Sequence, residues 1–538
     1  MRAGAAPDVV RWLLDPRAYP EGERPTRVTL VETHISWLLF AGRFVYKVKK
    51  PVDFGFLDFT TLEKRRFYCL EELRLNQRLS PDVYLEVVEI AGEHGRLAVG
   101  GTGSVVEYAV KMRALPPDRW LSGLLTRGEA SPALMRRIAQ RIAAFHASAG
   151  AAAGEVGSID TVRVNTRENF VQTREYVGVT VTAEAHDRVE AYTEAFLGVR
   201  AGRFARREHA GRIRDCHGDL HADQICAENG IAFIDCIEFN ERFRFSDVAA
   251  DIAFPAMDVD YYGRPDLSAE LIREYVTASG DSGVLDVLDF YKCYRAFTRG
   301  KVRGFRLRQA DLGEADRRAI VDRASRYFEL ANAYARLPGR LAVAICGLMG
   351  TGKSSLARAL APRLGAEVLS SDVVRKELAG IGPDEPRREA WGEGIYSEAF
   401  HARTYETLHQ RAAQQLRAGG IVILDASYRD AAWRTRARET ARAAGARFLL
   451  LEARSPGDVV RQRLAARGAG PSDGRVELLE AQRERFEPPL EIPPEERIIV
   501  DTSGAPGEVV KAALGEVYRR QLAEACGETK NPGVVPGF

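Results

Sequence analysis

A glycine-rich loop that follows an apolar strand constrains the fold of this chain more than any other feature. Residues 347–354 read GLMGTGKS, which is a complete G-x-x-x-x-G-K-[ST] phosphate-loop motif. The preceding segment, 341–345, is apolar, and apolar residues recur at helical spacing after the loop. Glycines let consecutive backbone N–H groups turn towards a phosphate, and the N-terminus of the following helix adds a positive pole. The sequence therefore predicts a nucleotide-phosphate site in an α/β P-loop domain with a parallel sheet.

The loop also predicts which cofactors the domain needs. In this motif the lysine reaches the outer phosphates and the following hydroxyl holds magnesium, so ATP and Mg²⁺ are the expected cofactors. The candidate nucleotide-binding residues of the loop are Gly347, Gly350, Thr351, Gly352, Lys353, Ser354 and Ser355. Asp425 ends the apolar strand 421–424, a position from which a carboxylate supports magnesium. Ser354 and Asp425 are thus the candidate metal ligands.

Size and composition limit the class of protein. A chain of 538 residues is too long for a single core and predicts about three or four structural units. The formal net charge of +2 creates no field that would require nucleic acid or an anionic membrane. Seven cysteines without C-x-x-C pairs argue against a disulfide framework or a zinc site. No apolar stretch approaches the ~20 residues of a membrane span, so we expect a cytoplasmic protein without a membrane partner.

A second group of polar residues lies in the first half of the chain. Two apolar strands flank a polar loop at 216–226, with Asp219 in the loop and Asp235 at the end of the second strand. Upstream, strands over 28–48 place Lys47 and Lys49 on one face, and a helix is predicted over 61–79. Carboxylates in such loops can take a proton from a hydroxyl or hold magnesium between phosphates.

These segments resemble a known family. The run 217–221 (HGDLH), followed by Ile234-Asp235, resembles the catalytic and metal-binding segments of aminoglycoside phosphotransferases and choline-kinase-like enzymes, which share the protein-kinase fold. Residues 45–47 resemble the nucleotide-binding lysine strand, and 246–251 the aspartates that brace the catalytic loop. The likeness covers roughly 28–335. It implies an α+β protein-kinase-like domain, with an N-lobe at 1–115 and a helical C-lobe carrying the catalytic loop at 116–337.

The resemblance also implies roles for individual residues. Asp219 would orient or deprotonate the acceptor hydroxyl, Asp235 would bind magnesium, and Lys47 would hold the phosphates with Glu72 orienting it. Lys49 is a rival for the lysine role and Glu71 for the glutamate role, and Glu238 is a further candidate at the metal site.

One position departs from the family pattern. Gln224 stands five residues after the catalytic aspartate, where the family usually has an asparagine as second metal ligand. A glutamine offers the same carbonyl on a longer arm. Either the metal is bound with altered geometry, or this lobe has lost catalysis.

The C-terminal segment has its own resemblance. Residues 341–522 resemble the P-loop kinase group that includes gluconate kinase, zeta-toxin-like sugar-nucleotide kinases and polynucleotide 5'-hydroxyl kinases. By that resemblance Asp372 is the acid and base at the acceptor site, with Arg375 beside it. Arg461, Arg463 and Arg467 lie in a predicted mobile lid at 458–473, and by the resemblance such arginines would neutralise charge on the transferring phosphoryl group. Arg461 and Arg467 are the candidate nucleotide-binding residues of this lid. The P-loop domain is expected over 341–525, and a disordered tail over 526–538.

Together these patterns predict a bifunctional ATP-dependent phosphotransferase that transfers the γ-phosphate to a hydroxyl of a small molecule. One alternative is a nucleotide-dependent regulatory protein whose kinase-like lobe does not catalyse transfer. Another is a polynucleotide 5'-hydroxyl kinase, which the lack of interleaved aromatic residues disfavours but leaves open. The acceptor, the oligomeric state and any coupling between the domains stay open.

Overall fold

The chain forms two compact units. The computed structural model describes residues 8–55, 57–93, 96–152, 156–228, 230–309, 312–337, 339–382, 385, 393–466 and 476–524. The first unit comprises Met1–Val181 and Ala201–Tyr334, and the second comprises Thr182–Arg200 and Ala335–Phe538. Arg467 and the predicted tail 526–538 lie outside the described residues.

The first unit begins with an antiparallel sheet and continues mainly as helices. Its strands are β1 (Val28–Glu32), β2 (Ser36–Ala41), β3 (Phe44–Lys49), β4 (Tyr84–Glu93), β5 (Arg96–Val99), β6 (Ser104–Arg113), β7 (Ile213–Asp215), β8 (Ile225–Cys226), β9 (Ala232–Phe233) and β10 (Phe245–Asp247). The helices up to residue 334 are α1 (Asp8–Leu13), α2 (Leu62–Gln77), α3 (Leu121–Thr126), α4 (Pro132–Ser148), α5 (Ile159–Thr173), α6 (Ala183–Val199), α7 (Ala201–His209), α8 (Glu241–Arg244), α9 (Val248–Tyr261), α10 (Pro265–Ser279), α11 (Leu288–Phe305) and α12 (Glu314–Tyr334).

The order of the first sheet explains how its lysines reach the interior. Six strands pair in the order β1-β2-β3-β6-β4-β5, with β3 inside the sheet and all six of its residues buried. Helix α2 packs on β4 and β6, and the Thr61 side chain caps it by accepting from the N–H of Lys64. An antiparallel sheet with one packed helix, followed by a helical part, is the protein-kinase-like arrangement. The predicted fold class of the N-terminal half is confirmed.

The second unit is a parallel sheet with helices around it. Its strands are β11 (Leu341–Cys346), β12 (Ala366–Ser370), β13 (Ile421–Asp425), β14 (Arg447–Arg454) and β15 (Arg497–Asp501). Its later helices are α13 (Lys353–Leu364), α14 (Ser371–Leu378), α15 (Glu398–Arg417), α16 (Ala431–Ala443), α17 (Gly457–Ala465), α18 (Leu479–Glu484) and α19 (Pro506–Glu524). The strands pair in the order β12-β13-β11-β14-β15, and every pair is parallel.

This topology places the candidate residues along one edge. Strand β11 is central and fully buried, as its continuous apolar run requires. Because parallel strands share one carboxyl edge, the phosphate loop after β11 lies next to the end of β13, and the end of β12 lies one strand further along the same edge. The α/β P-loop class predicted for the C-terminal half is confirmed.

Helix α6 lies in sequence between segments of the first unit yet clusters with the second. The Arg188 guanidinium donates to the backbone oxygens of Arg363, at 2.5 Å, and Pro362, at 2.6 Å. Both carbonyls are in the last turn of α13, the helix that begins at the phosphate loop. The last carbonyls of a helix lack intrahelical partners, so Arg188 supplies donors that the helix itself cannot. Residues 182–200, which fall inside the predicted C-lobe at 116–337, are therefore part of the P-loop unit's packing.

None of the helices within the described ranges has the length and apolar character needed to cross a membrane.

Candidate active sites

The phosphate loop needs glycine at two of its positions for steric reasons. Gly347 has φ +140°, and a Cβ there would lie 2.4 Å from the oxygen of Ala453. Gly350 has φ +76°, and a Cβ there would lie 2.9 Å from the Leu464 Cγ. Neither position accepts a side chain, because the loop turns back against neighbouring elements with left-handed backbone angles.

Hydrogen bonds hold the rest of the loop in place. The Thr351 hydroxyl donates to the oxygen of Leu348 at 2.7 Å, and the Thr502 hydroxyl donates to the oxygen of Thr351 at 2.7 Å. The Lys353 Nζ also donates to the Leu348 oxygen, at 2.8 Å. Helix α13 begins at Lys353, so the backbone N–H groups of its first turn open towards the loop.

A cleft of about 980 Å³ opens over the loop. This is the upper end of the range usual for small-ligand sites. The predicted residues that line it are Gly350, Gly352, Lys353, Ser354, Ser355, Asp372 and Asp425. The structure thus brings the phosphate loop, the end of β13 and the start of α14 to a single cavity.

Asp425 and Ser354 fit a magnesium site. The Asp425 side chain accepts a hydrogen bond from the Ser354 hydroxyl. Burial raises the pKa of the Asp425 carboxyl above its usual value, although Ser354 and Lys353 oppose the shift. A hydroxyl and a carboxylate are the hard oxygen donors that Mg²⁺ takes, so the side chains present here fit the ion.

Asp372 lies on the β12 side of the same cleft. Helix α14 begins one residue before it, and its carboxylate accepts from the Arg375 Nη1 at 2.9 Å. About a third of the Asp372 side chain is exposed. The carboxylate is therefore accessible from the cleft and oriented by an arginine, which suits a group that must contact an acceptor hydroxyl.

The predicted lid arginines differ in position. Arg461 is exposed and is not among the residues that line the cleft, and Arg467 lies outside the described residues. Arg463 does line the cleft, and its Nη2 donates to the oxygen of Thr502 at 2.6 Å. The sequence alone could not tell whether Arg461 or Arg463 faces the cleft, because this depends on how α17 packs against the rest of the unit.

In the first unit the predicted lysine and glutamate meet. The Lys47 Nζ lies 2.7 Å from Glu72 Oε1 and 2.5 Å from Asp235 Oδ1. Glu72 is fully buried, whereas Glu71 makes a more exposed pair with Arg74 at 2.7 Å. The structure therefore pairs Lys47 with Glu72, and it places Glu71 outside the site.

Lys49 forms a second, parallel bridge. Its Nζ lies 2.7 Å from Glu72 Oε2 and 2.5 Å from Glu238 Oε1, and the lysine has no exposed surface. Burial lowers the pKa of Lys49, yet Glu238 and Glu72 outweigh it and hold the pKa above its usual value. Burial raises the pKa of Glu238 in spite of the lysine. Glu72 thus joins both lysines, and Glu238 contacts Lys49 in a network that also includes Asp235.

Asp219 lies in the loop predicted to be catalytic. Its side chain is 39% exposed and lies 3.5 Å from the His221 Nε2. Burial raises the pKa of Asp219, but His221 and Arg299 more than offset this, so the pKa is below its usual value. An ionised, reachable carboxylate is what the proposed role of orienting a hydroxyl requires.

Asp251 accepts hydrogen bonds from the backbone of the loop that carries Asp219. Its carboxylate accepts from the backbone N–H groups of His217 at 3.1 Å and Gly218 at 2.9 Å. His146 Nε2 lies 3.1 Å from the same carboxylate, and its other ring nitrogen lies 2.8 Å from the Tyr275 hydroxyl. His146 therefore supports the loop from a buried position and does not face the site.

Gln224 contacts Asp235 through its amide. The Nε2 donates to Asp235 Oδ2 at 3.3 Å, while Lys47 occupies Oδ1. Asp235 has φ +64°, and its N–H donates to the Tyr84 hydroxyl at 2.9 Å. Tyr84 could not be identified from the sequence, because an aromatic residue at the start of a strand is expected to be part of the core. A carboxylate and a side-chain amide can still offer oxygen atoms to Mg²⁺, so the donor set fits the ion once the Gln224 amide turns.

Comparison with known proteins gives one domain match and several relatives, of which two are described here. A family model described as "AAA domain" matches residues 343–489. The proteins Mb2027c of Mycobacterium bovis and Rv2004c of Mycobacterium tuberculosis, both described as uncharacterized, are each 32% identical over 470 residues, which is 86% of this chain and 91% of the relative.

Solved structures resemble each half more distantly. A gluconokinase from Sinorhizobium meliloti is 22% identical, with 36% of this chain and 97% of that one covered and a TM-score of 0.26. A choline kinase from Cryptosporidium parvum is 11% identical, with 61% and 92% covered and a TM-score of 0.37. At these values the likeness identifies no substrate. The full-length matches decide membership: the chain belongs to the family of the mycobacterial proteins Mb2027c and Rv2004c, and it joins a protein-kinase-like unit to a P-loop unit.

Proposed function

We propose that this protein is an ATP-dependent phosphotransferase with two nucleotide-binding modules, each of which transfers the γ-phosphate to a hydroxyl of a small molecule. The observation that carries the proposal is the single cleft in which the phosphate loop, the Ser354–Asp425 pair and the Asp372 carboxylate meet. Phosphoryl transfer is mainly a matter of positioning and charge stabilisation, and these are the parts it needs.

In the P-loop unit the nucleotide phosphates would lie against the loop and the first turn of α13. Lys353 would release the Leu348 oxygen and turn its ammonium to the outer phosphates. Asp372 would accept a hydrogen bond from the acceptor hydroxyl. The acceptor oxygen then bonds to the γ-phosphorus, the bond to the β,γ-bridging oxygen breaks, ADP leaves, and the hydroxyl proton passes to Asp372 before it reaches solvent.

Magnesium would supply charge neutralisation between the phosphates when bound. Ser354 and Asp425 would hold it in the P-loop unit, and Asp235 with Gln224 would hold it in the kinase-like unit. The kinase-like unit would use Lys47, fixed by Glu72, as the phosphate-binding cation, and Asp219 would orient its own acceptor.

A second candidate function is favoured by one contact. Gln224 presents its N–H to Asp235, and Lys47 occupies the other carboxylate oxygen. In this arrangement the carboxylate already has two donors, which fits a kinase-like unit that binds nucleotide without transferring phosphate and regulates the P-loop unit.

The experiment is acceptor-dependent ADP formation by the full chain with a panel of sugars, aminoglycosides, nucleosides and 5'-hydroxyl oligonucleotides. Wild type is compared with Asp219→Asn and Asp372→Asn, which keep side-chain volume while removing the carboxylate charge. Two active modules predict that each substitution abolishes a different acceptor-dependent activity. If acceptor-dependent ADP formation is lost only in Asp372→Asn, the regulatory alternative is supported. Full activity in both variants contradicts the proposed roles of Asp219 and Asp372. Turnover of the oligonucleotides alone would identify a polynucleotide kinase.

A further inference from the structure

Two lysines of β3 make parallel ion pairs but differ in their access to a ligand. We propose that Lys49 is a positioning residue of the kinase-like unit, which joins β3 through Glu238 to the segment 234–240 that carries Asp235. Lys49 keeps Lys47 and the Asp235 carboxylate at a fixed separation while both bind the nucleotide and its metal. This inference rests on the proposed function of the kinase-like unit and extends it to two residues that contact neither ligand.

The two lysines share one glutamate and bind two carboxylates of the same segment. Glu72 Oε1 accepts from the Lys47 Nζ and Glu72 Oε2 from the Lys49 Nζ, each at 2.7 Å. The same ammonium groups donate to Asp235 Oδ1 and Glu238 Oε1, respectively, each at 2.5 Å. Residues two apart on a strand share a face, so β3 presents both ammonium groups to the segment. The segment is therefore bound to β3 at two points.

Solvent access separates the two bridges by role. The Asp235 side chain is 42% exposed, whereas the side chains of Lys49 and Glu238 are 0% and 3% exposed. The Phe59 ring, itself fully buried, covers the lysine, with its centre 4.9 Å from the Lys49 Nζ. A phosphate or metal ion can reach Asp235, whereas Glu238 is enclosed together with its lysine. We therefore assign Glu238, which the resemblance offered as a candidate at the metal site, to holding Lys49.

The bridge through Lys49 survives a change that the bridge through Lys47 does not. Lys47 must leave Asp235 to hold phosphate, and Asp235 must turn to the metal ion, so their contact breaks when the ligands bind. The Lys49–Glu238 bridge is enclosed away from both ligands and stays in place. A buried ion pair resists separation, because parting the two charges leaves each one without a partner inside the protein. Lys49 therefore holds the segment against β3 at the stage when phosphate transfer requires it.

The segment needs such a restraint because it has no regular secondary structure. Residues 234–240 form neither helix nor strand. The Cys236 N–H donates to Asn76 Oδ1 at 3.0 Å, and the Ile237 N–H donates to the His217 oxygen at 3.1 Å. These are neutral hydrogen bonds, and a charged hydrogen bond is roughly twice as strong as a neutral one. The buried, charged bridge therefore adds a stronger restraint than either backbone contact.

The first test measures how tightly the kinase-like unit binds Mn²⁺ together with a non-hydrolysable ATP analogue. Electron paramagnetic resonance of Mn²⁺ is recorded on the full chain carrying Lys353→Ala, so that the P-loop unit does not contribute. Lys49→Met should raise the Kd by about tenfold to a hundredfold, as the loss of an outer partner of a metal site does. Adding Glu238→Gln removes the unpaired carboxylate, so stability should recover in part while the Kd stays raised. A merely structural role predicts instead that the Kd recovers together with stability.

Lys111→Met is the matched control, because Lys111 also bridges two glutamates. Its Nζ lies 2.8 Å from Glu23 Oε1 and 3.0 Å from Glu86 Oε1. Lys111 stands opposite Tyr46 in the register of β3 and β6, so its side chain lies on the face of the sheet away from Lys47. Its replacement should leave the Kd for Mn²⁺ and the analogue as in the Lys353→Ala parent.

The second test needs no ligand. Hydrogen exchange of peptides that cover 234–240 is followed by mass spectrometry in the full chain. In the variant that combines Lys49→Met with Glu238→Gln, these peptides should exchange about tenfold faster than in wild type, because opening of the segment no longer breaks a buried ion pair. Lys111→Met should leave their exchange unchanged.

The outcomes separate the positioning role from the proposed function. If the double variant binds Mn²⁺ and the analogue as its parent does, or if exchange of 234–240 is unchanged, the positioning role is refuted although the unit binds nucleotide. If Lys49→Met does not fold, the double variant decides, together with Glu238→Gln alone, which should also raise the Kd. Faster exchange of 234–240 without any nucleotide binding in Lys353→Ala would support the positioning role and refute the proposed nucleotide binding by this unit.

Discussion

Removing the Lys49 ammonium tests the buried charge network of the kinase-like unit. Lys49→Met keeps an unbranched side chain of similar length but leaves Glu238 without its 2.5 Å partner and Glu72 with Lys47 alone. Lys49, Glu72 and Glu238 are all buried. Breaking a buried ion pair by removing one partner costs about 3–5 kcal/mol, because an uncompensated charge stays inside the protein. We therefore expect Lys49→Met to reduce the free energy of unfolding of the first unit by about that amount.

A double variant separates the effect of the unpaired Glu238 carboxylate from the effect of lost packing around residue 49. Lys49→Met with Glu238→Gln removes the unpaired carboxylate as well, and it should recover about 1–3 kcal/mol of the loss. Lys64→Met is the surface control, because Lys64 and Asp58 are both partly exposed in their pair, and such pairs contribute about 0–1 kcal/mol.

Hydrogen exchange of the β3 amides, followed by mass spectrometry, is the assay. It reports the opening free energy of this strand separately from unfolding of the P-loop unit. If Lys49→Met lowers the opening free energy of β3 no more than Lys64→Met does, the buried network is refuted. A double variant that is less stable than Lys49→Met would refute it as well.

Three further predictions concern both units. Arg188→Met should destabilise the P-loop unit by about 2–3 kcal/mol in calorimetry, because two backbone carbonyls at the end of α13 lose the hydrogen bonds that a charged, buried guanidinium donates to them; an unchanged transition would contradict this. Burial holds the pKa of His409 at about 4, below its usual 6.5, so its contribution to stability is complete above pH 6.5 and is lost as the pH falls to 4. His409→Gln should therefore make stability less steep over that range, and an unchanged slope would count against the buried neutral ring. Glu72→Gln should weaken nucleotide binding by the kinase-like unit at least tenfold whereas Glu71→Gln should not, and equal effects would contradict the role of the Lys47–Glu72 pair.

Motifs that restrict the backbone could be predicted from the sequence. The phosphate loop was recognisable because Gly347 and Gly350 admit no side chain, and their spacing is fixed by the loop itself. The loop at 217–221 was recognisable through its resemblance to the catalytic segments of aminoglycoside phosphotransferases and choline-kinase-like enzymes, and the structure adds that its backbone N–H groups donate to Asp251. The P-loop fold class followed from the loop motif and from strand and helix order, whereas the protein-kinase-like class followed from the resemblance.

Choices that depend on tertiary packing could not be made from the sequence. Glu71 and Glu72 are adjacent, and only the rotation of α2 against β3 determines that Glu72 meets Lys47. Lys47 and Lys49 share a face, and the structure shows that both are bridged by the same glutamate. Helix α6 carries no local signal that it packs on α13, since its contacts are formed with residues more than 170 positions away.

The most direct test of two nucleotide-binding modules is the number of nucleotides that one chain binds. Equilibrium dialysis with a non-hydrolysable ATP analogue and Mg²⁺ should give two sites for wild type. Lys353→Ala should retain only the site of the kinase-like unit, Asp235→Asn only that of the P-loop unit, and the double variant neither. A single site in wild type that disappears in Lys353→Ala would contradict the account, because the kinase-like unit would then not bind nucleotide at all.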